Sequence, residues 1–453
     1  MGSDWTECSL GDLIDIKHGF AFSGESISRV PSECVLVTPG NFEIGGGFKE
    51  TNAKYFRGQY PEEYVFDPGD LVVTMTDLSK TADTLGYSAK IPHSKEKVYL
   101  HNQRVGKVLL QSSSADLEFL YWVMRHRDYR RWVVNTATGS TVKHTSPSRI
   151  LAYSFLLPPL SEQKEIAHTL GTLDDKIELN RKTNETLEAI ARALFKSWFV
   201  NFDPVRAKAE GRPTGLPDAI SDLFPDSFEE SELGEIPRGW RIVPLGDLLV
   251  VDKGISYKGD FLSDSEGLPM VNLGCFAGGG AFREEKMKFY AGDYRERHVA
   301  EAGDLLIANT DMTQNRIILG APVIIPPWRG HEKFLFSHHT FVVRFKRNKD
   351  SLARFIYFTL LRSTFRQIAA GHATGTTVLA LPKDGITDYQ AVLPLDIILI
   401  CFARQVDALF GTCQKVVEEN TLLARMRDTL LPKLVSGELR IPEAERLLEE
   451  AGV

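Results

Sequence analysis

The run ATGSTV, residues 137–142, returns as ATGTTV at residues 373–378, and this recurrence decides how the chain is organised. Working outward, each copy opens alike: Trp5 is followed by Leu10, Gly11 and Asp12, and Trp240 by Leu245, Gly246 and Asp247. Between these marks PGDLVVTMTD (residues 68–77) answers AGDLLIANTD (residues 302–311). Leu85, Gly86, Ile91 and Pro92 return as Leu319, Gly320, Ile325 and Pro326. A period of about 236 residues is far longer than the units of a solenoid, which run to tens of residues. It describes two copies of a whole domain, each followed by its own helix. A two-fold device suits a target with two sites.

Composition narrows the class. A chain of 453 residues with 43% hydrophobic and 25% charged side chains reads as soluble and globular, with room for two or three cores. No apolar run approaches the roughly 20 residues that span a bilayer. The start MGSDWTECSL has no signal-peptide pattern, and Cys8, Cys34, Cys275, Cys401 and Cys413 are scattered without a CxxC pair. A cytoplasmic protein without membrane association, disulfides or a zinc site is expected. The formal net charge is −7, but the acidity concentrates between the copies while the second copy is net basic. Bulk charge therefore does not exclude DNA. It places part of any phosphate neutralisation on a partner.

Each copy reads as mixed α/β. Strands are expected over residues 64–75 and 341–345, and helices over residues 119–133 and 355–369 just before the ATG[ST]TV segments. Strand-like runs at residues 154–157 and 390–393 lead into Pro158 and Pro394. After each proline the period changes to alternating steps of four and three, the spacing of a coiled coil. The first stripe is Ile166, Leu170, Leu173, Ile177, Asn184, Leu187, Ala191, Leu194 and Trp198, with Asn180 also on it. The second keeps the frame: Phe402, Val406, Leu409, Cys413, Val416, Asn420, Leu423, Leu430 and Leu434. Each helix either packs on its own domain or pairs with the other, with Asn184 and Asn420 then setting register. If they pair, the order domain, helix, domain, helix requires them antiparallel. About 33 residues make a rod of roughly 50 Å, longer than the roughly 34–36 Å of one DNA turn.

The expected fold is thus α/β (α+β): two similar globular recognition domains separated by two long antiparallel coiled-coil helices, with pseudo-two-fold symmetry. The partition is residues 1–158, first domain; 159–205, central helical spacer; 206–236, linker; 237–394, second domain; 395–436, C-terminal helical spacer; and 437–453, a short acidic tail.

No catalytic signature is found. The chain has no GxxxxGK[ST] loop, no GxGxxG after a strand and no Asn-Pro-Pro-aromatic tetrapeptide. Gly45 to Gly47 and Gly278 to Gly280 read as turns, and Asp226, Glu229 and Glu230 as a solvated acidic loop. His338 and His339, as neighbours on a strand, would face opposite sides and share no metal. What remains is the equipment of a reader, since Asn, Gln and Arg pair with purine edges and hydroxyls reach bases or phosphates. The candidates in the first copy are Thr76, Asp77, Ser79 and Lys80, beside Thr74, then Asn102, Gln103 and Arg104 after His101, then Ser140, Thr141, Lys143 and His144. In the second they are Asn309, Thr310, Thr313, Gln314, Asn315 and Arg316, beside Asp311, then His338 and His339, and Thr376 and Thr377. Lys143 and His144 become Leu379 and Ala380 in the second copy, so any contact they make is not expected to be shared. Arg125, Arg127, Arg130 and Arg131 read mostly as a solvated helix face. For any one loop residue, an ordinary polar loop is the competing interpretation.

Four further runs carry a family resemblance: LLPPLSEQKEIA (156–167), LFKSWFVNFDPVRAK (194–208), LLPKLVSGEL (430–439) and the linker GLPDAISDLFPDSFEESELGEIPRGW (215–240). Together they resemble the specificity subunits of type I restriction-modification systems over the full length. The resemblance implies two target recognition domains, each reading one half of a bipartite, asymmetric DNA site, with two antiparallel helices setting the spacer. It implies double-stranded DNA, two modification (methyltransferase) subunits and restriction (translocase/nuclease) subunits as partners. S-adenosylmethionine, ATP and Mg would belong to those partners, and this chain would hold no cofactor and no catalytic residue. The second copy departs where SEQKEIA becomes DIILICFA at residues 396–403. A stand-alone DNA methyltransferase or nuclease and a protein-binding scaffold are the alternative classes.

Overall fold

The computed structural model describes residues 4–51, 53–79, 81–312, 317–375 and 378–453. The chain forms two compact units. One joins the stretch through Lys182 to Val416–Val453, and the other is Thr183–Lys415. Compactness thus groups the chain differently from a partition into domains and spacers, because both boundaries fall inside the long helices Leu160–Lys196 and Asp396–Ser436.

In the first unit an antiparallel sheet orders Ile14–His18, Val105–Leu110, Leu71–Thr74 and Ser88–Lys90. A second sheet orders Ile27–Ser28, Lys54–Phe56, Cys34–Val37 and Val98–His101, its last pair parallel. The opening strand Thr6–Ser9 closes on Ser154–Leu157, so the Trp…Leu-Gly-Asp start is pinned to the run before Pro158.

The second unit repeats this order. Leu249–Lys253, Thr340–Phe345, Leu305–Ala308 and Pro322–Ile324 form one sheet, and Arg241–Pro244 closes on Gln390–Leu393. Its other sheet gains the strand Val299–Glu301, where the first unit has only the isolated bridge of Val65 with Leu100. Alternation of buried and exposed positions in Ile14–His18 and Leu249–Lys253 reflects a sheet with one face on a core.

Several local expectations are corrected. The strand expected over residues 64–75 is confined to Leu71–Thr74, because Asp70 accepts from Asp67 N and Gly69 adopts φ +86°, turning the chain just before it. Each helix expected before the ATG[ST]TV segment is two helices, Leu117–Val123 with Arg127–Thr136, and Lys349–Leu361 with Ser363–His372. His126 and Arg362 sit at the breaks with extended backbone, and the His126 ring accepts from Asp128 N at the start of the new helix. The apolar pattern runs through the break because both segments face one core, so periodicity alone cannot see the bend.

The linker and the tail are also more than connections. After residue 196 the first long helix ends in a π turn, Ser197–Asn201, and Phe202 takes a left-handed conformation before the helix Asp203–Ala209. Val205, Phe224 and Ile236 are buried, the first two in one core with Phe202 and Trp240 in the second unit. Trp198, expected on the helical stripe, lies on this π turn and packs edge-on against Phe224. The tail forms the helix Ile441–Glu450, whose Ile441 and Ala444 belong to the first unit's core.

The long helices do both things proposed for them. In the first unit Ile166, Leu170, Leu173 and Ile177 share one core with Leu423, Leu430 and Leu434 and with Phe119 and Leu120 of the sheet domain. Asn180 donates to Asn420 and Glu419 at 2.9 Å each, while Arg427 binds Asp174, so the segments run antiparallel there. In the second unit Phe402 and Val406 are core residues, with Leu194 and Leu409 packed at its edge. Leu187, Cys413 and Asn184 are only half-buried, and the Asn184 carbonyl oxygen is enclosed without a hydrogen-bond partner. Asn420 therefore has an amide partner, and it is Asn180.

Candidate nucleic-acid interface

In the first unit three segments meet at one end of the Leu71–Thr74 sheet. The strand continues into Thr76–Asp77, which pairs with Lys143–His144 just after the ATGSTV run. The turn at residues 102–104 joins them, since Met75 N donates to Arg104 O and Thr145 N to Met75 O, both at 3.0 Å. Gly139 makes the reversal possible. Its φ is +95°, and a β-carbon there would sit 2.0 Å from Val142 O. Gly375 repeats the arrangement at φ +101° against Val378 O.

The candidates divide by role. Asp77 is buried and braces its own loop, accepting from Ser79 N, Thr84 N and the Thr84 hydroxyl. Burial alone would raise its carboxyl, but the hydrogen bonds from Ser79 and Thr84 outweigh it and hold the group below the ordinary range. Ser79 in turn accepts from Asp83 N, and the buried Asn102 accepts from Arg104 N. Thr74 is buried, and His101 is buried with its ring on Val105 O, its pKa pushed down to about 4 by burial.

The side chains left facing outward are Gln103, Arg104, Ser140, Thr141 and His144, with Lys143 half-buried among them. Thr76 Oγ1 lies 3.2 Å from His144 Nδ1. Of the four arginines read as a helix face, Arg127 and Arg131 are exposed, but Arg125 is buried against Asp174 and Arg130 binds the carbonyls of Ala82 and Leu85. Two of the four are thus structural, because a guanidinium can satisfy several buried carbonyl and carboxylate oxygens at once.

The second unit builds the same face with different chemistry. Thr310–Asp311 pairs with Leu379–Ala380, Asn309 N donates to His339 O, and Leu381 N donates to Asn309 O. Asn309 also donates its side-chain amide to His338 O, and Asp311 accepts from Ile318 N and Leu319 N. Thr310 Oγ1 lies 2.9 Å from His339 Nδ1. The threonine–histidine contact is therefore shared although His144 is replaced by Ala380, because a histidine from another segment supplies it. Sequence alignment of the copies gave no sign of this.

His338 and His339 lie on a turn between strands rather than on a strand, with ring centroids 3.8 Å apart, so their sidedness on a strand is no argument about metal. Among the described residues no group of three or more metal-ligating side chains comes together. Burial lowers both imidazoles, and Lys253 adds to it. Lys80, Thr313, Gln314, Asn315, Arg316, Thr376 and Thr377 lie outside the described residues. A cavity of about 510 Å³ in the second unit, lined by Phe199, Phe202, Arg362, His372 and Tyr389 among others, includes none of the reading-face candidates. Among the described residues no helix is long and apolar enough to cross a membrane.

Comparison with known proteins gives the same picture. Residues 2–189 match the family model for the type I restriction modification DNA specificity domain. The chain is 27% identical over 333 residues to the specificity subunit of the type I restriction enzyme MjaIX of Methanocaldococcus jannaschii, covering 72% of this chain and 70% of that one. It is 25% identical over 481 residues to the HindI specificity subunit of Haemophilus influenzae, covering 96% and 100%. The crystal structure of a type I restriction-modification S subunit from M. genitalium shares the fold, with a TM-score of 0.53 and 15% identity over 95% of this chain and 96% of that one. With the duplicated sheet domains and long helices already described, the chain is similar to type I restriction-modification specificity subunits, and its residues 2–189 match that family's DNA specificity domain.

Proposed function

We propose that the chain is the non-catalytic DNA-reading subunit of a type I restriction-modification complex. Each unit reads one half of a bipartite, asymmetric site in double-stranded DNA, and the long helices set the spacer between the halves. Two modification subunits supply adenine methylation with S-adenosylmethionine, and restriction subunits supply ATP- and Mg-dependent translocation and cleavage. The observation that carries this reading is the pair of equivalent faces, identical in backbone frame and different in exposed side chains. A frame repeated with altered polar tips is what reading two different short sequences requires, since base edges are distinguished by donor and acceptor pattern.

The test is to express the complete system and sequence its methylated sites, then to exchange residues 1–158 for those of a relative. A bipartite motif in which the exchange alters one half alone is expected. Methylation without sequence preference would favour a protein-binding scaffold instead, and methyl transfer by the isolated chain would make it an enzyme.

A further inference from the structure

The turn between Val98–His101 and Val105–Leu110 has a counterpart between Lys333–Phe336 and Thr340–Phe345, and four backbone hydrogen bonds superpose the two position by position. In the first unit they run from Phe20 N to His101 O, Gln103 N to Phe20 O, Met75 N to Arg104 O and Val105 N to Asn102 O. In the second they run from Ile255 N to Phe336 O, His338 N to Ile255 O, Asn309 N to His339 O and Thr340 N to Ser337 O. Gln103 therefore stands where His338 stands, and Arg104 where His339 stands. The carriers of these turns are buried strands, so the tips are rigidly placed.

The tips differ in the number of contacts they offer. Gln103 and Arg104 are exposed, and neither side chain has a hydrogen-bond or ion-pair partner among the described residues. An amide and a guanidinium each present two groups in a plane, which matches the two-point edge of adenine or guanine in the major groove. The histidines present less. His339 Nδ1 is engaged by Thr310, leaving one ring nitrogen, and His338 Nδ1 is enclosed without a partner.

We propose that these two turns are specificity-determining positions. In the first unit Gln103 and Arg104 select purines by two-point contacts, and in the second His338 and His339 make single-point contacts that discriminate less sharply. This rests on the DNA-reading function proposed above and adds which residues set the stringency of each half-site.

The experiment uses the complete complex in cells, with methylated sites sequenced for wild type, Arg104→Ala, Gln103→Ala and the double exchange Gln103→His with Arg104→His. Arg104→Ala is expected to cut discrimination at one base pair of the half-site read by the first unit at least tenfold, leaving the other half-site unchanged. The double exchange is expected to relax the same half-site toward the tolerance of the second. Thermal melting of each variant at the wild-type temperature is expected, because the substituted tips are solvent-facing. A uniform loss of methylation at all sites with an unchanged motif would mean a phosphate contact and overturn the proposal. An unchanged motif at full activity would overturn it as well. A wild-type complex without any bipartite motif would instead overturn the DNA-reading function itself.

Discussion

The two units join their sheet domain to the long helices with different buried chemistry. In the first, a buried polar network sits beside the apolar core that Ile166 and Leu170 share with Phe119 and Leu120. Asp174 accepts from Arg125 at 2.6 Å and from Arg427 at 2.5 Å, and the fully buried Gln163 binds Asp116 N, Ser114 O and Pro158 O. Glu162 accepts from Trp5 and pairs with Arg440. The repeat places Leu361, Phe410 and Ala191 where the first unit has Arg125, Asp174 and Arg427, Leu399 for Gln163, and Ile398 for Glu162. There the buried part of the joint is a cluster of rings, Phe195 with Phe358 at 5.5 Å, Phe199 with Phe402 at 4.9 Å, and Phe358 with Phe410 at 6.2 Å, and its polar contacts, Arg354 with Asp407 and Asn348 with Asp396, lie at the exposed edge. Trp240, the mate of Trp5, is left with its indole N–H unpaired. One frame thus tolerates either solution. Hydrogen-bonded groups hold it by geometry and fail when one partner is lost, whereas packed rings hold it by area and fail when volume is lost.

The largest effect is expected at the aromatic joint. Phe402 is fully buried, and Phe402→Ala should cost about 4 kcal/mol from lost burial and the cavity left behind. Chemical denaturation measures it. A cost of under about 1 kcal/mol would mean that the rings collapse into the space and that the comparison overstates their packing.

Asp174 comes next. Asp174→Asn should cost about 3 kcal/mol by leaving the buried Arg125 without a carboxylate. Burial pushes the Asp174 carboxyl up, but Arg125 and Arg427 outweigh it and the pKa is lowered from 3.8. A depressed folded pKa gives stability that is present above the unfolded value and lost as pH falls through the folded one. Acid should therefore loosen the joint of the first unit below about pH 4, with no counterpart at Phe410. Hydrogen exchange resolved by peptide checks this. Equal acid sensitivity in both joints, or an acid response unchanged in Asp174→Asn, would break the comparison.

The smallest effect is the direct exchange of one joint's residue for the other's. Gln163→Leu strands Asp116 N and two carbonyls and should cost about 2 kcal/mol, while Leu399→Gln buries an amide without partners and should cost a similar amount. If either variant melted at the wild-type temperature, the two joints would be interchangeable residue by residue.

What was legible in the sequence follows from local pattern. The a/d stripes located both long helices, since burial on one helical face imposes a 3.6-residue rhythm wherever the helix lies, although the first helix ends at Lys196 rather than running on to residue 205. The runs at residues 154–157 and 390–393 were read as strands with their observed bounds, because a short apolar run directly before a proline is biased away from helix toward extended backbone. Loop candidates were found by residue type alone, so braces and tips were mixed. Asp77 and Asn102 look like readers in a string of letters, and only their hydrogen bonds show them turned inward.

By itself, then, the sequence determined the duplication, the long helices, the family resemblance and the neighbourhood of the candidate loops, all properties carried by short runs of residues. The tertiary structure decided that the linker and tail are core elements, that Arg125 is structural, and that His339 takes the place of His144 beside the equivalent threonine. It also decided that Arg104 and His339 occupy one position. These depend on segments tens of residues apart meeting in space. A hydrogen bond formed across such a distance is set by the approach of two backbones, and no local periodicity records it.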